Sequence, residues 1–148
     1  MKPAVLLDTG PLGVLTNPSH TPARQAAGQW LAGLLSAGRR VLLPDVSDYE
    51  LRRELLHRRS IQAVNRLDFL HTQLEPLLIS RNAILRAADI WADARRRGIS
   101  TAPPGALDFD VVLAAQADTL GGPTVVATMN VAHLSRFTPA EFWLHVTP

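Results

Sequence analysis

At 148 residues the chain has the length of one ordinary domain, and a hydrophobic fraction of 47% is enough for a full core. Cysteine is absent, which excludes disulfides, zinc–thiolate sites and thiol nucleophiles. The net charge is only +2, yet the pI is 9.9, because Lys2 is the single Lys among 15 cationic residues and Arg does not deprotonate near neutrality.

Val5-Leu6-Leu7 reads as a buried strand, being apolar and too short for a helix, and Thr9-Gly10-Pro11 breaks it. Pro18 to Pro22 forms a turn into a helix from about Ala23 to Ser36, closed by Gly38. Val41-Leu42-Leu43 is a second buried strand, stopped by Pro44. Asp45 is read as the N-cap of a helix reaching about Arg59, with Asp48 at its third position. Ser60 caps a further helix, Ile61 to Gln73. Leu74 to Ile79 is the third strand, with Pro76 suited only to an edge. Arg81 to Arg97 is helical, with Ile84, Leu85, Ala88, Trp91 and Ala92 on one side, and Gly98 ends it. Residues 101–105 read as a loop, Val111 to Leu120 as a small-residue helix and Thr124 to Ala127 as the fourth strand. A helical turn near Val131 to Ser135 and a turn over Pro139 to Phe142 lead to a fifth, edge strand over Trp143 to Val146.

No apolar run approaches the ~20 residues of a membrane span, and Met1-Lys2-Pro3-Ala4 lacks a signal-peptide core, so a soluble cytoplasmic protein is expected. The lone Lys restricts the chemistry further. A P-loop requires Lys on its phosphates, and acidic phosphotransfer pockets use Lys after a late strand, whereas Lys2 precedes the first strand. No G-x-G-x-x-G occurs, so a dinucleotide site is unsupported.

Strands alternate with helices, which predicts a single α/β domain over 1–148. It would be a three-layer sandwich around a mainly parallel sheet of four to five strands. Right-handed crossovers put the C-terminal ends of all parallel strands on one rim, where open α/β sheets bind ligands. The acids fall on that rim. Asp8 follows the first strand, Glu50 lies in the helix after the second, and Asp108 and Asp110 open the helix before the fourth. Thr128 and Asn130 follow the fourth strand. Asp110 is favoured as the ligand, with Asp108 as cap and auxiliary. Asp8 beside Thr9 could instead form an Asx-turn, and Glu50 could be a solvated helix residue. Glu54 is expected to pair with its Arg neighbours, and Asp89 and Asp93 with Arg86, Arg95, Arg96 and Arg97. The five His show no metal-ligand spacing, and His133, near the rim, suits a hydrogen-bonded structural role.

Clustered carboxylates repel one another and stay charged together only around a cation. Oxygen ligands without Cys or paired His select Mg²⁺ or Mn²⁺, which can activate water for phosphodiester hydrolysis. Arg52, Arg53 and Arg136 are candidates to track a nucleic-acid backbone. With aromatics at 5%, no stacking platform stands out, and base specificity is unreadable.

Four segments together resemble the PIN domain family over nearly the whole chain. Val5-Leu6-Leu7-Asp8-Thr9 is similar to the family's first strand and acid, and the run Pro44 to Leu55 to its second-acid helix, with Glu50 in the acid position. Asp110-Val111-Val112-Leu113-Ala114-Ala115-Gln116-Ala117 resembles its third-acid helix, and Val125 to Phe137 its last strand and turn. The resemblance implies a Mg²⁺- or Mn²⁺-dependent ribonuclease, often a VapC-type toxin that is homodimeric and blocked by an antitoxin. The first three family acids fall on Asp8, Glu50 and Asp110. Asn130 stands where many members carry Asp, and Asp108 is the candidate to replace that charge. Gly10 stands where Ser or Asn is common, leaving a contact there without a side chain. The sequence also admits a catalytically silent binding module, a nuclease acting on DNA, or a phosphatase.

Overall fold

The architecture follows from five short runs that pair side by side into one parallel sheet. The computed structural model describes residues 1–99 and 104–148, and side chains except those of 104–108. The strands are β1 (Ala4–Leu7), β2 (Val41–Pro44), β3 (Glu75–Leu77), β4 (Thr124–Thr128) and β5 (Ala140–Phe142), in the order β3-β2-β1-β4-β5. All four pairings are parallel, with Val5 opposite both Val41 and Val125. β1, β2 and most of β4 are buried on both faces, which explains why their sequences are continuous apolar runs without alternation.

Helices α1 (Thr9–Thr16), α2 (Pro22–Ser36), α3 (Asp45–His57) and α4 (Ile61–Gln73) follow in order. Then come α5 (Arg81–Arg96), α6 (Pro104–Thr119) and the short α7 (Val131–Leu134). One face of the sheet presents Val5, Leu7, Val41, Leu43, Val125 and Ala127 to Leu12 and Leu15 of α1, Leu31 and Leu34 of α2, Leu51 and Leu55 of α3 and Leu67 of α4. The opposite face presents Ala4, Leu6, Leu42 and Val126 to Leu113 and Ala117 of α6 and Leu134 of α7. α5 packs outside α6 through small side chains, Ala83 and Ala87 meeting Ala114 and Ala115. The three-layer α/β expectation holds.

Several local expectations change. Thr9-Gly10-Pro11 does not break the chain; it begins α1, with Asp8 as N-cap. Pro11 is tolerated because the first turn of a helix has no internal partner for that N–H. The cap of α3 is Pro44, so Asp45 and Asp48 lie in the first turn and no side chain caps the helix. α6 starts at Pro104, so Asp108 lies inside the helix and not at its cap, and residues 104–105 are helical. Residues 101–103 of the expected loop lie outside the described residues. The fifth strand is Ala140–Phe142; Trp143–His145 forms a single 3₁₀ turn, and Trp143 is buried edge-on against Trp30. On α5 the buried positions are Ala83, Ala87, Ile90 and Ala94, while Ile84, Leu85 and Trp91 face outward. No described helix is long and apolar enough to cross a membrane.

Candidate active site at the carboxyl rim of the sheet

The chain moves from β1 outward to β2 and β3, then returns to the other side of β1 with β4. The crossovers on either side of β1 diverge, leaving a crevice at its carboxyl end beside β4. Asp8 stands there, 9% exposed. Its position is fixed from three directions. The Asp8 N–H donates to the Ala127 carbonyl at 3.0 Å, the Thr9 N–H donates to Asp8 Oδ1 at 2.8 Å, and the Thr128 hydroxyl donates to Asp8 Oδ2 at 2.7 Å. Each carboxylate oxygen has two acceptor directions, so Oδ2 keeps one for a further partner, while the second direction of Oδ1 meets only the distant Thr9 hydroxyl. Capping α1 and binding a ligand are therefore compatible roles for Asp8.

Thr128 is fully buried, and its Oγ1 also accepts from the Asn130 N–H at 2.9 Å. It orients Asp8 and cannot touch a substrate. Thr9 Oγ1 lies 3.4 Å from Asp8 Oδ1, a weak second donor. Asn130 is exposed at the start of α7, and its side chain does not cap that helix.

Glu50 on α3 feels the charge of Asp8, and Asp110 on α6 feels the charges of both, so the three carboxyl groups lie within electrostatic reach. Burial raises the Glu50 pKa, and the Asp8 charge raises it further; Arg53 opposes this, and Glu54 adds to it. Asp110 is pushed up to about 7, first by burial, then by the charges of Asp8 and Glu50, against the pull of Arg136. Three elements separated widely in sequence thus bring three carboxyl groups into one partly desolvated region. Asp108 shares α6, but its side chain lies outside the described residues.

His133 Nε2 lies 2.7 Å from Asp110 Oδ2, and Arg136 contacts His133 Nδ1. A guanidinium can only donate, so Nδ1 accepts and the ring proton sits on Nε2, where it donates to Asp110. Burial and then Arg136 lower the His133 pKa, and the Asp8 charge opposes them. The structural role expected of His133 is therefore support of a site carboxylate. Sequence spacing could not show this, because His133 and Asp110 lie on different elements.

The three Arg candidates separate. Arg52 is bound to Asp48 at 2.7 Å and to Asp68 at 2.8 Å, tying α3 to α4. Arg136 supports His133, with its guanidinium over Phe137. Arg53 makes no ion pair among the described residues, and its guanidinium lies 4.4 Å from the centre of the Phe109 ring and 5.8 Å from that of Tyr49. Glu54 likewise forms none of the ion pairs expected with its Arg neighbours among the described residues, whereas Asp93 pairs with Arg97 at 3.1 Å. Arg86 reaches Asp118 on α6, not the acids of its own helix. Gly10 has its own explanation, since a Cβ there would stand 2.9 Å from Met129 Cγ; Met129 occupies the space another side chain would need.

Among the described residues no three His, Asp or Glu side chains converge closely enough to form a ready-made cage for an ion. The donor set still fits a hard divalent cation. Glu50 and Asp110 offer carboxylate oxygens whose pKa values are raised first by burial and then by neighbouring negative charge, both of which a cation would offset. Mg²⁺ also keeps several waters and binds through one or two carboxylates, so it needs no closed cage.

No protein-family model and no curated protein matches the sequence. Solved structures do match in shape. The chain is similar to one in the VapBC2 structure from Rickettsia felis bound to a DNA fragment from their promoter, with TM-score 0.68 and 15% identity, covering 93% of this chain and 97% of that one. It is similar to one in DNA-bound VapBC from Salmonella typhimurium, with TM-score 0.67 and 20% identity over 96% and 99%. It is also similar to one in VapBC-1 from nontypeable Haemophilus influenzae, with TM-score 0.70 and 19% identity over 95% and 98%. At these identities the likeness is one of fold, and the chain has the PIN-like α/β fold.

Proposed function

We propose that the protein is a metal-dependent ribonuclease that hydrolyses RNA phosphodiester bonds at the carboxyl rim of its sheet. The observation that carries this reading is the gathering of Asp8, Glu50 and Asp110 from three separate elements, with Asp110 pushed up to about 7 by burial and by the charges of Asp8 and Glu50. Asp8 also caps α1, but acids that raise one another's pKa at a rim favour a divalent cation among them. Asp8, Asp110 and Glu50 would hold Mg²⁺ or Mn²⁺, with Asp108 as auxiliary in place of the acid missing at Asn130. The ion, when bound, supplies a water of lowered pKa and offsets charge on the phosphorus. Thr128 and the Thr9 N–H hold Asp8 in its rotamer. His133, itself held by Arg136, keeps an oxygen of Asp110 in place. Arg53 supplies positive charge beside Glu50 for the RNA backbone.

The fold likeness to chains of VapBC assemblies supports a further reading, in which the protein is the cytoplasmic toxin of a toxin–antitoxin pair. Its partners would be an antitoxin and a second copy of itself. The test is cleavage of RNA beside single-stranded DNA and a phosphomonoester. Hydrolysis of RNA should require added Mg²⁺ or Mn²⁺ and stop with EDTA. Full activity of Asp8→Asn, or activity undiminished in EDTA, would remove the mechanism.

A further inference from the structure

Two of the chain's few aromatic residues stand immediately beside the candidate ligands: Tyr49 precedes Glu50, and Phe109 precedes Asp110. α3 and α6 pack together, and the two rings meet with centres 6.0 Å apart and planes inclined by 36°. Arg53, one turn after Glu50, lays its guanidinium over Phe109. Tyr49 is 59% exposed, so core burial does not account for its place. Phe109 is partly buried and packs with the core under α6, which gives the cluster a fixed floor. The result is an open aromatic surface with a cation on it, on the same rim as the three carboxyl groups.

We infer that Tyr49, Phe109 and Arg53 form a stacking site for one nucleobase of a single-stranded RNA. The inference rests on the ribonuclease reading for its substrate, and concerns how that substrate is positioned. A base has a π-face of the same size class as these rings, and both aromatic rings and guanidinium planes serve as stacking surfaces. The same Arg carries charge for an adjacent phosphate. Stacking tolerates any base, so the site would fix the register of the strand at the acids without dictating its sequence. A duplex keeps its bases stacked internally and cannot offer one here.

The test is binding of a labelled single-stranded RNA octamer to the full chain, in EDTA and again in Ca²⁺, with an abasic nucleotide moved through the oligomer. Tyr49→Ala should weaken binding about tenfold, while Tyr49→Phe and Tyr49→Trp retain it. Phe109→Leu, which keeps the packing volume, should lose part of the affinity. One abasic position should cost a similar factor in the unaltered chain and nothing further in Tyr49→Ala. Double-stranded RNA should show no dependence on Tyr49. The site is overturned if the unaltered chain binds no RNA, if Tyr49→Ala binds as tightly as the unaltered chain, or if the abasic cost is the same in both. Binding is read without cleavage. A chain that never cleaves but shows this coupling keeps the stacking site and loses the nuclease reading. Cleavage that is indifferent to Tyr49 does the reverse.

Discussion

His133 Nε2 lies 2.7 Å from Asp110 Oδ2, and the Arg136 guanidinium on the far nitrogen of the ring decides that the proton between them belongs to the imidazole. Such a partner fixes the rotamer of a carboxylate and favours its charged form. His133→Ala should therefore lower Mn²⁺ affinity or RNA cleavage by about 10–100-fold, the range for lost support of a metal ligand. Calorimetric Mn²⁺ titration beside a cleavage assay measures both. An unchanged Mn²⁺ affinity and rate would show that Asp110 needs no such support.

Thr128 is the corresponding partner of Asp8, and it is fully buried. Thr128→Val keeps the shape and removes the donor, leaving Asp8 Oδ2 short of one bond. Urea unfolding should show a loss of about 1–3 kcal/mol. Asp8→Asn, by contrast, should unfold at nearly the same urea concentration, since Asn caps a helix about as well as Asp. It should nevertheless abolish cleavage.

The raised pKa values of Asp110 and Glu50 set a pH dependence with a definite sign. Both groups hold protons more tightly folded than unfolded. Their contribution to metal-free stability is therefore full below the unfolded values, near 4, and is lost as pH rises through about 7 for Asp110. A bound cation competes with the same proton. Mn²⁺ affinity should rise up to about tenfold per pH unit below about 7 and level off above it. Titrations from pH 5.5 to 8 would show a flat profile if Asp110 were not a ligand.

Adjacent arginines should behave differently. Arg52 is tied to Asp48 and Asp68, whereas Arg53 makes no ion pair among the described residues. Arg53→Gln should reduce the salt dependence of RNA binding by about 0.7 in logarithmic slope, the value for one phosphate of a single strand. Arg52→Gln should leave that slope alone and cost at most about 1 kcal/mol of stability. Equal slopes for the two variants would contradict the assignment.

The strands legible in the sequence were those buried on both faces. Val5 to Leu7 and Val41 to Leu43 read as strands because two covered faces require continuous apolar residues. The short edge strand at Ala140–Phe142 carries no such pattern, and the expected strand was placed three residues too late. α1 was invisible because Gly10 and Pro11 read as breakers. Their tolerance depends on lying in the first turn, after Asp8. On α5 the side read as apolar, with Ile84, Leu85 and Trp91, faces outward, and the sequence did not show which neighbour the helix would choose. It packs through alanines, because close approach to α6 needs small side chains at the contact.

The amino-acid sequence by itself determined the α/β class and placed Asp8 at the carboxyl end of β1, because strands covered on both faces must carry continuous apolar runs. Only the tertiary structure decided which groups serve the site acids: Thr128 on Asp8, His133 on Asp110, and Tyr49 against Phe109 beneath Arg53. The reason is distance along the chain. Periodicity reports which side of an element is buried, but not which side chain of another element it meets. Hydrogen bonds and ring contacts are settled by that meeting, to within an ångström.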